Sequence, residues 1–445
     1  MYLKRKIDKY LLDWKNNPNK KPLIIKGARQ IGKTESILKF ANDNYNNVIY
    51  INFIEEPIYK GITEAGYSVD EIIKNISRID PNKKFSNFKD TIIIFDEIQD
   101  FIDISTSLKF FKIDGRFDVI CSGSMLGINY NKISSVSTGY KTDCEMNSLD
   151  FEEFLWAKGY SETVRDEFLN KMLNQNAFSE LELKIYFDLF LDFTILGGMP
   201  EIVKSYIQNK TFEGTLENQK QIVEDYRQDI HKYTEGVDKT RLINLYNHIP
   251  VQLAQENKKF QFSKLNKNAR YREYQGTVEW LEAAGMINVC YNLNSLSLPI
   301  KGNYKPNEFK IYLKDSGLLV SQLDDESQMD LRVNKNLGVY KGALYENIVA
   351  EAFIKSGLEL YYYNNTSKQI ELDFVLRSKD NIVPIEVKAS TGTIKSINKV
   401  IDDNLYNEIN YGIKLARKNI GFNVKVYTFP YFLAFILKDY LKIKK

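Results

Sequence analysis

Histidine is nearly absent from this 445-residue chain. His231 and His248 are the only two, so a catalytic centre built on clustered imidazole ligands is effectively excluded. Cysteine is scarce as well. Cys121, Cys144 and Cys290 lie far apart, form no CxxC pair and, being three, cannot all be paired, which points to a reducing compartment. Long apolar runs are missing too. The opening "MYLKRKIDKYLLDWK" lacks the uninterrupted apolar stretch of a secretory signal, and "YTFPYFLAFIL" near the end is too short to cross a bilayer. A cytoplasmic protein that does not enter a membrane is therefore expected. Neither sign of charge dominates: 61 Lys and Arg against 58 Asp and Glu leave +3, too little to argue for nucleic acid by itself. The excess is local, with ten basic and four acidic residues from Thr391 to Lys445. Solvated surface lysines and a phosphate-binding face both fit that distribution.

What the chain does have is core material, with 43% hydrophobic and 13% aromatic residues. At this length more than one hydrophobic core is expected. Four divisions suggest themselves: an α/β domain over 1–150, a helical linker or lid over 151–235, a winged-helix-like module over 236–330, and a second α/β domain over 331–445.

The strongest local signal lies in "PLIIKGARQIGKTESILKFA", where an apolar strand precedes Gly27-Ala28-Arg29-Gln30-Ile31-Gly32-Lys33-Thr34 and an amphipathic helix follows. That is the P-loop arrangement. Two glycines let the backbone turn so that successive N–H groups face a phosphate, Lys33 reaches the outer phosphates, and the Thr34 hydroxyl joins a magnesium shell. "TIIIFDEIQD" supplies the second element, a run buried on both faces and ending in two acids. Asp96 is expected to hold magnesium and Glu97 to polarise the attacking water, so the expected cofactors are ATP and Mg2+. "NVIYINF" and "FDVICSGS" read as further strands of a doubly wound parallel sheet. Ser122 or Ser124, at the end of the latter, could sense the terminal phosphate, and a plain polar turn fits each serine equally.

Taken together, "GARQIGKT", "IIIFDEIQ", "ICSGSM" and "SLDFEEFL" resemble the AAA-superfamily ATPases that carry a C-terminal domain of unknown function, a widespread prokaryotic group. "ILGGMPEIV", "YRQDIHKY", "FKIYLKDSGLLVSQL" and "YKGALYENIVAE" extend the resemblance over nearly the whole chain. In that family a Gly-Arg pair often follows the sensor region and offers an arginine to the γ-phosphate. This sequence has Gly139-Tyr140-Lys141 there, which leaves Arg116 or a neighbouring subunit of a homo-oligomer as sources.

The middle of the chain reads as helical, broken by Gly197-Gly198-Met199-Pro200, a turn with no assigned chemistry. "RLINLYNHIPVQLAQ", "FSKLNKNA" and "YREYQGTVEWLEAAGMI" then suggest three helices, and "NVCYNL" with "FKIYLKD" a two-stranded wing. Lys267, Arg270 and Arg272 could place the third helix in a DNA groove. Glu273, Glu279 and Glu282 on the same helix oppose that, and favour a packing module.

In "IELDFVLRSKDNIVPIEVKA" a turn centred on Lys379 and Asp380 sets Asp373 opposite Glu386 and Glu371 opposite Lys388. Two opposed acids need a proton or a cation between them. A divalent metal, with Lys388 beside it to stabilise developing charge on a phosphodiester, would resemble the PD-(D/E)XK nuclease pattern. On the helix "YKGALYENIVAEAFIKSG", Glu346 falls at the edge of the apolar stripe while Glu351 is expected to point away. The resemblance implies the set Glu346, Asp373, Glu386 and Lys388, the first three as metal ligands and the last as the catalytic assistant. A Glu371–Lys388 ion pair on a non-catalytic remnant is the alternative. Two functions stay open: an ATPase coupled to a nuclease-like, DNA-binding tail, or a nucleotide-controlled switch whose tail only binds a protein or nucleic-acid partner.

Overall fold

The computed structural model describes residues 1–85, 90–126, 137–234, 238–255, 258–267, 269–333, 335, 339–388 and 394–444. The chain divides into two compact units, Tyr2–Ser148 with Ala283–Gly285, and Leu149–Glu282 with Met286–Lys445 and Met1. The segments 151–235 and 331–445 thus lie within the second unit, as does most of 236–330. Among the described residues no helix is long and apolar enough to cross a membrane.

In the first unit, strands Leu23–Lys26 (β1), Asn47–Asn52 (β2), Thr91–Asp96 (β3), Asp118–Gly123 (β4) and Thr142–Glu145 (β5) form one parallel sheet in the order β2-β3-β4-β1-β5. Every residue of β3 is buried, as a central strand covered on both faces must be. Ile24, Ile51, Phe53, Ile93, Phe95, Val119 and Cys121 pack with Ile72 and Ile76 of the helix Val69–Ile79 and with Leu108 and Phe111 of the helix Ile104–Asp114. Each such side chain, fully buried, contributes about 1.5–3 kcal/mol, so the sheet is a rigid frame. All five strands being parallel, their carboxyl ends share one edge, and the loops after β1, β3 and β4 meet there.

The second unit begins with helices Phe151–Ala157, Val164–Leu173, Glu180–Leu196, Pro200–Asn209, Thr215–Tyr233 and Asp238–Leu253. Its aromatic core joins Phe151, Phe154, Phe190 and Phe193 to Phe432 and Phe435, with ring centroids 5.1 Å apart for Phe151 and Phe190 and 5.9 Å for Phe151 and Phe435. The late apolar run is therefore core. The Gly-Gly-Met-Pro turn is a close crossing of backbones: a Cβ on Gly198 would sit 2.0 Å from the Leu149 carbonyl oxygen. Pro200 opens the next helix, where its missing N–H leaves no bond unmade.

The expected wing departs from a lone hairpin. Strands Ile287–Leu293 (β6) and Tyr304–Leu313 (β7) are antiparallel as expected, but β6 also pairs in parallel with Tyr361–Asn365 (β8), which pairs with Ile370–Leu372 (β9). The sheet order is β7-β6-β8-β9. Of the three expected helices, "FSKLNKNA" gives only a 3-10 turn, Phe262–Lys264, too short a run to propagate as a helix.

Strands Phe374–Ser378 (β10), Asn381–Lys388 (β11), Gly412–Ala416 (β12), Gly421–Asn423 (β13) and Val426–Pro430 (β14) form the last sheet, ordered β10-β11-β12-β14-β13. The hairpin register is the inferred one over Phe374↔Ile385 to Ser378↔Asn381. It stops at Asp373. Beyond that point the chain leaves β11 for β8, so Glu371 pairs with Asn364 and not with Lys388. The Asp373 carboxylate accepts the Val387 N–H at 2.8 Å, occupying a donor at the place where the two strands part.

Candidate functional site

At the carboxyl edge of the first sheet, β1 runs directly into the glycine loop. Gly27 has φ +154° and Gly32 +87°, conformations open to glycine and costly to side chains. A Cβ on Gly27 would lie 2.2 Å from the Met146 carbonyl oxygen. Gly32 caps the helix Lys33–Asn44, so its free N–H groups and positive dipole end open toward the loop. Ala28 and Ile31 are buried, whereas Arg29 is half-buried and Gln30, with φ +61°, is exposed. Arg5, ahead of the first helix Lys6–Asn16, pins this loop from behind: its guanidinium donates to the carbonyls of Ile31 at 2.9 Å and Asn147 at 2.6 Å.

Lys33 folds back over the loop, its ammonium donating to the carbonyls of Gly27 at 3.0 Å and Ala28 at 2.7 Å. Burial pushes its pKa down to about 8, against the pull of Glu97 and Asp96. Asp96, 1% exposed, is the hub of the edge. One oxygen accepts from the Thr34 hydroxyl at 2.7 Å and the Tyr50 hydroxyl at 2.9 Å, the other from the Ser122 hydroxyl and the Glu97 N–H at 2.9 Å. Glu97 has φ +55°, an uncommon conformation for a side-chain-bearing residue and one that concentrates at functional sites. Its carboxylate accepts from Gln99.

The two serines left open by the sequence now differ. Ser122 is bonded to Asp96, whereas the buried Ser124 hydroxyl has no hydrogen-bond partner among the described residues. Arg116 precedes β4, at the amino edge of the sheet, and is held by Asp114 at 2.7 Å and Asp70 at 2.6 Å. It stands at the edge of the sheet opposite the glycine loop, where those two acids hold it. Lys141 pairs with Asp143.

The second cluster is on the helix Val339–Lys355 and the β10–β11 hairpin. The helix is buried nearly all round, so its acids need partners on every side. Glu346, 2% exposed, has both oxygens filled: Lys310 donates at 2.9 Å and Tyr312 at 2.5 Å to one, and Lys258 to the other. Burial alone would raise its pKa, but the two ammonium groups outweigh it and hold the carboxyl far below the usual range. Glu351, expected to point away, is instead 1% exposed; it pairs with Lys355 at 2.5 Å and accepts the Ser316 N–H at 2.8 Å. Its burial dominates and pushes the pKa up to about 7.

Asp373, Glu386 and Lys388 do come together, the Lys388 ammonium lying 3.2 Å from Glu386 and 4.0 Å from Asp373. Burial raises the pKa of Glu386, and the positive charge of Lys388 opposes that rise. No group of three or more His, Cys, Asp or Glu side chains among the described residues is arranged to hold a metal ion. Glu346, Asp373 and Glu386 therefore do not fit a divalent cation in this arrangement, because lysines already neutralise them. Thr34 and Asp96 do fit one: a hydroxyl and a carboxylate oxygen converge beside the glycine loop.

Sequence reasoning missed Arg5, Tyr50, Lys258, Lys310 and Tyr312. Lys310 carried a readable signal, as a lone ammonium within the apolar run "FKIYL".

A glycine loop opening a helix, with its threonine bonded to an acid two strands away, defines the class: a P-loop nucleotide-binding ATPase domain. Comparison with known proteins agrees. Residues 19–155 match the family model described as AAA domain, residues 187–329 a domain of unknown function (DUF8612), and residues 341–432 a domain of unknown function (DUF4143). No curated protein sequence matches the chain. Among solved structures it is similar to the Walker-type ATPase of Pyrococcus abyssi, at 16% identity and TM-score 0.43 over 72% of this chain and 96% of that one. It is similar also to the Aeropyrum pernix Orc1 protein in complex with DNA, at 13% identity and TM-score 0.30 over 73% and 90%.

Proposed function

We propose that this protein is an ATP-hydrolysing switch, in which nucleotide state in the P-loop domain controls a partner-binding tail. The observation that carries the first half is the meeting of Lys33, Thr34 and Asp96 at one loop. Backbone N–H groups from Gly27 to Thr34 cradle the β- and γ-phosphates, and Lys33 exchanges its carbonyl partners for phosphate oxygens. Thr34 and Asp96 are the residues that would hold Mg2+, whose chemistry is to neutralise charge shared between those phosphates. Glu97 orients and deprotonates the attacking water, and the unpartnered Ser124 hydroxyl is free to donate to the terminal phosphate. Ser122 positions Asp96. With Arg116 at the far edge, a second copy of the chain is the remaining proposed source of an arginine, which makes a homo-oligomer part of the proposal.

For the tail, a restriction-endonuclease-like reading is supported by the connection of the helix Val339–Lys355, the β10–β11 hairpin, the helix Lys395–Asp402 and the parallel strand β12. We propose the divisions 1–150, 151–235, 236–330 and 331–445 as working modules, the third winged-helix-like and used for packing. Its exposed helix face mixes Arg272 with Glu273, Glu279 and Glu282, which disfavours entry into a DNA groove. One observation favours binding over cutting: both oxygens of Glu346 are taken by lysine and tyrosine donors. The tail then grips a nucleic-acid or protein partner in the cytoplasm without cleaving it, and Lys388 supplies charge to that contact instead of catalysis.

The test compares the parent with Lys33→Ala and Glu386→Ala for ATP turnover and for Mg- or Mn-dependent cutting of DNA and RNA. Turnover lost in Lys33→Ala alone, with no cutting by any chain, is expected. Cutting by the parent that Glu386→Ala abolishes would overturn the binding-only tail.

A further inference from the structure

Lys444 follows the helix Leu437–Ile443, and its N–H donates to the Tyr440 carbonyl at 2.9 Å, so the last turn of that helix fixes where its side chain starts. The side chain then turns inward. Its ammonium lies 3.0 Å from the ring centroid of Tyr427, 3.8 Å from that of Tyr411 and 5.4 Å from that of Tyr440. Tyr427 stands on β14, and Tyr411 immediately precedes β12. The planes of Tyr411 and Tyr427 meet at 86° and those of Tyr427 and Tyr440 at 65°, so the three rings wall a cage instead of stacking. Tyr440, 2% exposed, closes the floor, whereas Tyr411 and Tyr427 are half-buried and leave a mouth toward solvent. Phe422 on the paired strand β13, 47% exposed, has its ring 4.4 Å from that of Tyr427 and extends the rim.

A surface lysine ordinarily lays its alkyl stem on apolar residues and keeps its ammonium in water. Lys444 does the opposite. Its nitrogen is buried and has no hydrogen-bond partner among the described residues. Burial pushes its pKa down to about 7. The N–H donors are given only π faces, which attract positive charge but accept hydrogen bonds weakly. A quaternary ammonium carries the same charge and has no N–H to satisfy. The cage suits that chemistry better than it suits the group now inside it.

We infer that Tyr411, Tyr427 and Tyr440 form a receptor for a trimethylammonium group, and that Lys444 is the chain's own displaceable occupant of it. The Lys444 side chain is long and unbranched, and it leaves the rings without its ammonium giving up a hydrogen bond to any described residue. The exposed ring of Phe422 then offers an apolar surface to the alkyl chain that carries the incoming nitrogen. None of the tail's carboxylates takes part, so the site stands whether or not the tail is endonuclease-like.

The test is isothermal titration calorimetry on the full chain without nucleotide. The titrants are tetramethylammonium, choline and a peptide bearing one trimethyl-lysine, with the uncharged isostere of choline, carbon in place of nitrogen, as control. The parent, Lys444→Ala, Lys444→Gln and Lys444→Ala/Tyr427→Leu are compared, with melting curves for each. Both single variants should bind a quaternary ammonium at one site per chain, about tenfold more tightly than the parent, because no occupant has to be displaced. The double variant should lose that gain. Tighter binding of the peptide than of choline would assign the group to a protein partner, and the reverse to a free small molecule; either supports the cage. In the parent, with selectively labelled lysine, the ε-CH2 resonance of Lys444 should lie upfield under the three rings and return to the ordinary lysine position at saturating tetramethylammonium. Folded Lys444→Ala or Lys444→Gln chains that bind no titrant, equal binding of the uncharged isostere, or a gain that survives Tyr427→Leu would overturn the inference. So would a parent resonance that does not move.

Discussion

Glu346→Gln removes one negative charge and almost no volume, and it is the substitution whose cost the structure specifies best. The parent carboxylate takes donors from Lys258, Lys310 and Tyr312 in a pocket where Glu346 is 2% exposed. An amide offers one accepting oxygen and turns an N–H2 group toward a lysine. Lys310, 1% exposed, is left as a buried cation without its main counter-charge. Breaking a buried pair in this way costs about 3–5 kcal/mol. At about 2 °C per kcal/mol, the low end of the range for domains of 150–250 residues, the melting midpoint of the second unit should fall by roughly 6–10 °C. The pH dependence has a definite sign. A carboxyl depressed below its ordinary 4.5 stabilises the fold above that value and loses the contribution as pH falls below it. The gap between parent and variant, followed by calorimetry, should be widest at pH 7 and should narrow below about pH 4. A Glu346→Gln chain that melts within about 1 °C of the parent at pH 7 would refute the assignment of Glu346 as the charged hub.

Glu351→Gln, five residues along the same helix, should behave oppositely. Its folded pKa is raised to about 7 from 4.5, so the parent's ionised form is disfavoured and this group's contribution to stability declines as pH rises from 4.5 through 7. The amide should therefore be neutral or stabilising at pH 8 and should cost stability only near pH 5, a crossover that differential scanning calorimetry would detect. Lys33 gives a binding prediction. Its pKa of about 8 lies below the ordinary 10.5, so folding is favoured as pH rises between those values, while phosphate favours the protonated form. ATP affinity should weaken above about pH 8, and titration calorimetry in buffers of different ionisation enthalpy should show proton uptake at pH 8.5. Flat affinity with no uptake would remove Lys33 from the phosphate contacts.

The sequence disclosed most where structure is local. The strand, glycine loop and helix around Gly27–Thr34 are contiguous, and the acids ending β3 follow an apolar run whose burial is dictated by its own composition. The β10–β11 register was legible for the same reason, since one turn sets five pairs. What failed to show was whatever depends on distant segments. No local feature at Ile370–Leu372 announces that β8, rather than β11, will be its partner, so the Glu371–Lys388 pairing was misread. Tyr50 acts through a contact 46 residues away in the chain, and Arg5 through contacts 26 and 142 residues away. Glu351 was misplaced because a helix buried all round has no side that faces water, and the stripe of Leu344, Ile348 and Val349 conceals that.

The central claim is that the loop and the acids at the end of β3 form one ATP-hydrolysing centre. Its most direct test is a pair of measurements on Glu97→Gln, ATP affinity and steady-state turnover, beside the parent and Lys33→Ala. In the proposed mechanism Glu97 acts through water and not through the loop, so Glu97→Gln should bind ATP as the parent does while turnover falls on the order of 10²-fold or more. Lys33→Ala should lose binding. Parent-like turnover in Glu97→Gln would contradict the account.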